Sequence, residues 1–200
     1  NIKVGKFITQ VILQNIEVED IDLSNATDLR SAWVQNNPAL QKLDLSYSTI
    51  WGQGDKETEG NGTYGSSLMV LGCPILKEIK LPEKNELKAY RIDIECLDAL
   101  ETFDMSNVKM VAELSIGDLN KDFNLVYPEL TIFYSEDGYA GTYFACSENT
   151  FYRESTQAFL KANYTDIDPD DTVRRLGYTS SLSYDKNKGC RWRTLLNKQK

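Results

Sequence analysis

The side chains with the most chemical potential in this sequence are carboxylates. Asp22, Asp44 and Asp104 recur at one place in a repeated apolar pattern. Two acids about 5–9.5 Å apart in a cleft are what glycoside hydrolysis uses. Stacking Asp22 and Asp44 on neighbouring strands would meet that distance, but nothing in the sequence forms a water-excluding pocket. The chain has no histidine, so hydrolases with a His base, two-His metal motifs and ordinary pH switching near neutrality are ruled out. Cys73, Cys96, Cys146 and Cys190 lack C-x-x-C spacing, which argues against zinc. Their even number permits two disulfides, Cys73 with Cys96 and Cys146 with Cys190 for example, while buried thiols serve equally well as small apolar fillers.

Two further matches dissolve on their context. Gly60–Gly65 fits G-x-G-x-x-G, but the charged run 55–59 stands where a dinucleotide site needs a strand. It reads as an inserted loop. Asp166-x-Asp168-x-Asp170 resembles the start of a calcium loop, yet it lacks the sixth-position glycine and has Gly177 in place of the final Glu. With Pro169 behind Asp168 it reads as a helix start. No cofactor, no metal and no enzymatic activity are expected.

The formal charge is -8, from 22 basic and 30 acidic residues. Binding of nucleic acid is therefore not expected, because phosphate contacts need clustered Lys and Arg. No apolar run approaches the roughly eighteen residues of a membrane span, and no signal peptide is visible.

The elements that must position these acids come from periodicity. Leu76, Ile79 and Leu81 give L-x-x-I-x-L, and the same signature falls at Val18/Ile21/Leu23, Leu40/Leu43/Leu45, Leu100/Phe103/Met105 and, weakened, Leu130/Phe133/Ser135. The repeat starts are spaced 22, 36, 24 and 30 residues apart, so the longer units carry insertions. Proline two positions before Leu40, Leu76 and Leu130 marks strand entrances. The expectation is an α/β fold: a short leucine-rich-repeat solenoid with a curved parallel sheet on its concave face and an irregular or helical convex side. Residues 1–17 would form an N-terminal cap or degenerate repeat, 18–135 the repeats, and 136–200 an aromatic-rich C-terminal cap. Within that cap, Glu154 to Asn163 is a candidate helix.

Leu76, Ile79, Leu81, Pro82, Leu87 and Cys96 resemble the unit of BspA-like leucine-rich repeat proteins, L-x-x-I-x-L-P with a Cys shortly before the next Leu. The match covers one unit well and residues 18–135 loosely. The family's Ala-Phe pair is absent, with Ile92 and Ile94 in its place. The resemblance implies a secreted or surface-attached bacterial protein concerned with adhesion and protein binding.

On strands stacked about 4.8 Å apart, the outward residues form rows. One row is Asp20, Lys42 and Glu78; another is Asp22, Asp44, Lys80, Asp104 and Tyr134. Opposite charges in a row pair across the sheet, each exposed pair adding about 0–1 kcal/mol. The second row is the candidate surface for a protein or glycan partner. Two other readings remain open: a glycan-active hydrolase using paired carboxylates, and a structural module of a surface assembly.

Overall fold

The computed structural model describes residues 1–53, 66–120, 122–131 and 143–163, together with the short strands at 135–136, 139–140 and 196–197. The chain is α/β with a mostly parallel sheet and few helices. Two kinds of strand alternate along it.

The longer strands are β2 (Gln10–Gln14), β4 (Ser31–Gln35), β6 (Ser67–Leu71), β8 (Leu87–Glu95), β10 (Val108–Gly117) and β14 (Tyr143–Cys146). They pair in that order, all parallel. A two-residue strand, β15 (Leu196–Asn197), closes the far edge antiparallel to β14. Alternation explains these strands, since Val11 and Leu13, Ala32 and Val34, Leu68 and Val70, Ile92 and Ile94, and Leu114 and Ile116 all turn inward to the core. Valine and isoleucine dominate the set, and branched side chains suit a pleated, half-buried surface.

The first five of these strands end the same way. Asn15, Asn36, Gly72, Cys96 and Asp118 occupy equivalent positions, and all have positive φ, between 47° and 64°. Four of the five are Asn, Asp or Gly, the residues that enter the left-handed region most easily. The turn aims each N–H at the next strand: Asn15 donates to Gln35 O (2.9 Å), Asn36 to Leu71 O (2.9 Å), Gly72 to Glu95 O (3.0 Å) and Cys96 to Gly117 O (3.1 Å). The next residue then folds into the core, as Asn37, Cys73, Leu97 and Leu119 are all buried. At Gly72 a side chain would also collide, because a Cβ there would lie 2.8 Å from Asn36 Oδ1.

The shorter strands form parallel pairs: β1 (Ile2–Lys3) with β3 (Ile21–Asp22), β5 (Lys42–Asp44) with β7 (Glu78–Lys80), and β9 (Thr102–Asp104) with β11 (Asn124–Val126). Ile21, Leu43, Ile79, Phe103 and Leu125 point inward from them and share one core with the longer strands.

Two expectations need correction, and two alternatives left open by the sequence are narrowed. The side opposite the short strands is neither irregular nor helical; it carries the long-strand sheet. Of the two readings of residues 1–17, a cap or a degenerate repeat, the second fits β1 and β2, which enter both kinds of pairing in register. The strand stacked next to Phe103 is the one at Leu125, a turn that the repeat pattern skipped, since Leu125 stacks on Phe103 and Val126 on Asp104. Asp122 occupies the first signature position there, so the apolar pattern is broken at this turn; Phe133 lies outside the described residues. Finally, Cys73 and Cys146 are buried thiols outside any disulfide, whereas Cys96 is disulfide-bonded. Neither suggested pairing forms.

After β14, α1 (Glu148–Phe151) and α2 (Glu154–Asn163) close the described core. The helix expected over 154–163 has those bounds. It buries Thr156, Phe159 and Leu160, three and four residues apart on one face. Phe159 stacks on Tyr127 with ring centroids 4.5 Å apart, and the Tyr127 hydroxyl meets Thr156 Oγ1 at 2.9 Å.

Candidate functional site

The expected site residues fall at the ends of the short strands, and the structure gives three of them a local task. Asp22 Oδ1 accepts the N–H of Ser24 (2.9 Å), Asp44 Oδ1 that of Ser46 (3.0 Å) and Asp104 Oδ1 that of Ser106 (2.8 Å). Each closes an Asx turn where the strand ends. At the equivalent place in β7 stands Lys80, two residues before Pro82, which has no N–H to offer. The same holds at Val126 and Pro128. Aspartate thus occurs where a serine amide needs an acceptor and is missing where proline removes the donor.

Electrostatics agree with this assignment. The Ser24 hydroxyl and N–H, helped by Lys3, hold the Asp22 carboxyl below its ordinary value. For Asp44, burial pushes upward, but the Ser46 hydroxyl and amide together with Lys42 outweigh it, and the net shift is down. The cross-strand ladder is only half realised. Lys42 reaches Glu78 at 3.0 Å and Asp44 at 3.3 Å, while Lys80 Nζ turns to Glu78 (3.4 Å) on its own strand. Asp44 and Lys80 are register partners, yet their charges are spent on neighbours. Tyr134 lies outside the described residues, as do Gly60–Gly65 and Asp166–Asp170. Val126, not Tyr134, sits beside Asp104.

The outward face of the long-strand sheet holds a second arrangement that the sequence reading passed over. Register places Ile12, Trp33, Met69, Asp93 and Ser115 in one row. Gln14, Gln35, Leu71, Glu95 and Gly117 form a row on one side; Gln10, Ser31, Ser67, Arg91 and Glu113 form one on the other. Exposure changes along the middle row. Ile12 is 49% exposed, Trp33 and Met69 are half-buried, and Asp93 is 0% exposed. The Trp33 indole N–H is buried without an acceptor.

Asp93 is the most unusual group of the face. Neither carboxylate oxygen receives a hydrogen bond of ordinary geometry. Its nearest cation, Arg91, is 3.5 Å away and also faces Glu113 at 3.6 Å. The Ser115 hydroxyl donates to Glu95 Oε1 instead, at 3.1 Å. Burial therefore pushes the Asp93 carboxyl up to about 7, with Arg91 and Ser115 opposing the rise and Glu113 adding to it. Beside it, the Glu95 side chain lies over Gly117, where a Cβ would stand 3.1 Å from Glu95 Cδ.

The strict alternation in Arg91-Ile92-Asp93-Ile94-Glu95 was the available signal. With Ile92 and Ile94 inward, the three charges must share the outward face.

Among the described residues, no three His, Cys, Asp or Glu side chains are placed to share a metal ion, and no helix is long and apolar enough to cross a membrane. The Cys73 thiol, pushed up to about 11 by burial, is not a nucleophile at neutral pH. Comparison with known proteins returned no matching family model, no matching curated protein and no matching solved structure.

Proposed function

We propose that this chain is a noncatalytic leucine-rich-repeat solenoid that binds a partner, a protein in preference to a glycan, through the long-strand face over β2, β4 and β6. The repeat reading rests on five equivalent left-handed strand ends, on register kept from β2 through β8, and on the in-register pairs of short strands. A secreted or surface-attached setting and a role in adhesion rest on the resemblance to BspA-like proteins alone.

One observation carries the choice of face. The row Ile12, Trp33, Met69 is apolar, partly exposed and flanked by uncharged Gln and Ser side chains on β2 and β4. Tryptophan and methionine are favoured at interface centres, where burying them on binding releases water. The aspartates of the short strands are poorer candidates because their oxygens already hold the turns that end those strands.

The hydrolase reading gains little support. It asks for a carboxyl with raised affinity for protons, and Asp93 has one, but a general acid must reach substrate, and Asp93 is fully buried.

The test is binding of the 200-residue chain to arrays of matrix proteins and glycans, with Trp33→Ala and Met69→Ala variants alongside. The expected result is saturable protein binding that weakens at least tenfold in each variant, about 1.4 kcal/mol, with unchanged circular dichroism. Binding unaffected by both substitutions would overturn the assignment of the face. Retention on glycans alone would overturn the preference for protein.

A further inference from the structure

The two edges of the long-strand sheet are treated differently. At one, β14 is covered by antiparallel β15. At the other, β2 has β4 on one side and no strand on its second side among the described residues. The core thins there too. Val11 and Leu13 are 7% and 6% exposed, whereas their register partners Ala32 and Val34 are 1% and 0% exposed.

The direction of the free backbone groups follows from the ladder. Thr9 O accepts from Ser31 N, and Asn15 N donates to Gln35 O, so residues 9 and 15 bond toward β4. Residues two apart in a parallel ladder bond to the same side. The amides and carbonyls of Gln10, Ile12 and Gln14 therefore face the open edge.

Exposed edges are normally protected by charge, proline or a bulge. Gln-Val-Ile-Leu-Gln has none of these. Of the seven large apolar side chains exposed among the described residues, Phe7, Ile8, Ile12 and Ile16 lie at this end, with Phe7 82% exposed.

From this edge we infer that two copies of the chain associate by antiparallel pairing of β2 with β2 across a two-fold axis through Ile12. The strand is its own complement. Gln10 opposes Gln14 of the second copy, Val11 opposes Leu13, and Ile12 opposes Ile12. The outward-bonding residues of one copy meet those of the other, so all three become hydrogen-bonded pairs. Directly opposed residues share a face, so Val11 and Leu13 stay on the core side of both copies and Ile12 meets Ile12 on the outer side. A two-fold contact is self-closing and stops at the dimer. At the second edge, β15 already takes the side of β14 that head-to-tail pairing with β2 would need. This inference does not depend on the proposed partner-binding face; either can fail alone.

Sedimentation of the 200-residue chain across a dilution series tests it. The expected mass is twice 22.7 kDa, falling to the monomer on dilution. Ile12→Lys sets two ammonium groups against each other at the axis and shifts the chain to monomer with its circular dichroism unchanged. Ile75→Lys, at another exposed apolar position, leaves the dimer intact. In a second variant, Ile12→Cys, mild oxidation gives a covalent dimer, since Cα atoms in such a pair lie about 5.5 Å apart, within disulfide reach. A chain that stays monomeric at its highest concentration overturns the inference. So does a dimer that survives Ile12→Lys, an Ile12→Cys variant that does not cross-link, or a mass that climbs past the dimer.

Discussion

The molecule holds two sets of carboxylates that look alike in sequence and behave in opposite ways. Asp22 and Asp44 end short strands, with a serine amide two residues away, and both are held below the ordinary value. Asp93 sits in the middle of a long strand, its neighbours' amides committed to the sheet, and it is pushed up to about 7. The difference lies in local donors and water. At a strand end the chain turns, an N–H comes free, and a short acidic side chain can take it. In mid-strand no such amide exists, so a buried carboxylate depends on side chains, and Arg91 is shared with Glu113.

The largest effect expected from this contrast is at Asp93. Its folded value is raised from 3.8 to about 7, so the unfolded chain ionises first. Between these values the folded state holds a proton that the unfolded state has lost. Stability must then fall as pH rises from about 4 to about 7 and level off above. Asp93→Asn keeps the shape without the charge and should remove that slope. At pH 8 the variant should be more stable by on the order of 4 kcal/mol, and near pH 4 the two should converge. Urea unfolding at a series of pH values measures this. A constant offset between the two curves would mean that Asp93 binds its proton equally in the folded and unfolded states, and its side of the contrast would collapse.

Legibility in the sequence follows the same division. The inward positions at Ile21, Leu43, Ile79 and Phe103 were readable because L-x-x-I-x-L repeats with few interruptions. The fifth turn was lost at Asp122, where a polar residue takes an apolar place. The long-strand sheet was missed because its strands lead into turns of unlike sequence: Asn, Gly, Cys and Asp all serve as the left-handed residue. What unites them is backbone conformation, and residue type records that only loosely. At the site, the Asp row was legible but its part in the turns was not. Its meaning lay in the residue two positions on, serine or proline, which decides whether there is an amide to accept. Asp93 needed the alternation of 91–95 to be read as a face rather than as a substitute for a missing motif.

A smaller effect is expected at Asp44. Asp44→Ala removes the acceptor of the Ser46 amide and hydroxyl and an ion pair with Lys42. Net contributions of such bonds put the loss near 1 kcal/mol. Because the Asp44 carboxyl is held low, its contribution is full at neutral pH and fades as pH drops below about 4. Wild type and Asp44→Ala should therefore differ at pH 7 and converge in acid, the reverse of the Asp93 pair. Denaturation midpoints at the two extremes separate the cases.

The smallest effect is the most specific to the turn. Lys80→Asp restores the acid found at Asp22, Asp44 and Asp104, but Pro82 gives it no amide, and it loses the contact with Glu78. Alone it should be neutral or slightly destabilising. In Lys80→Asp with Pro82→Ser, the acid and its donor are both present. The double variant should then exceed the sum of the two single changes by about 0.5–1 kcal/mol. Additive singles would show that the aspartates do not serve the turns. A positive coupling would tie the acid to the serine amide, and it would explain why aspartate and proline divide these positions between them.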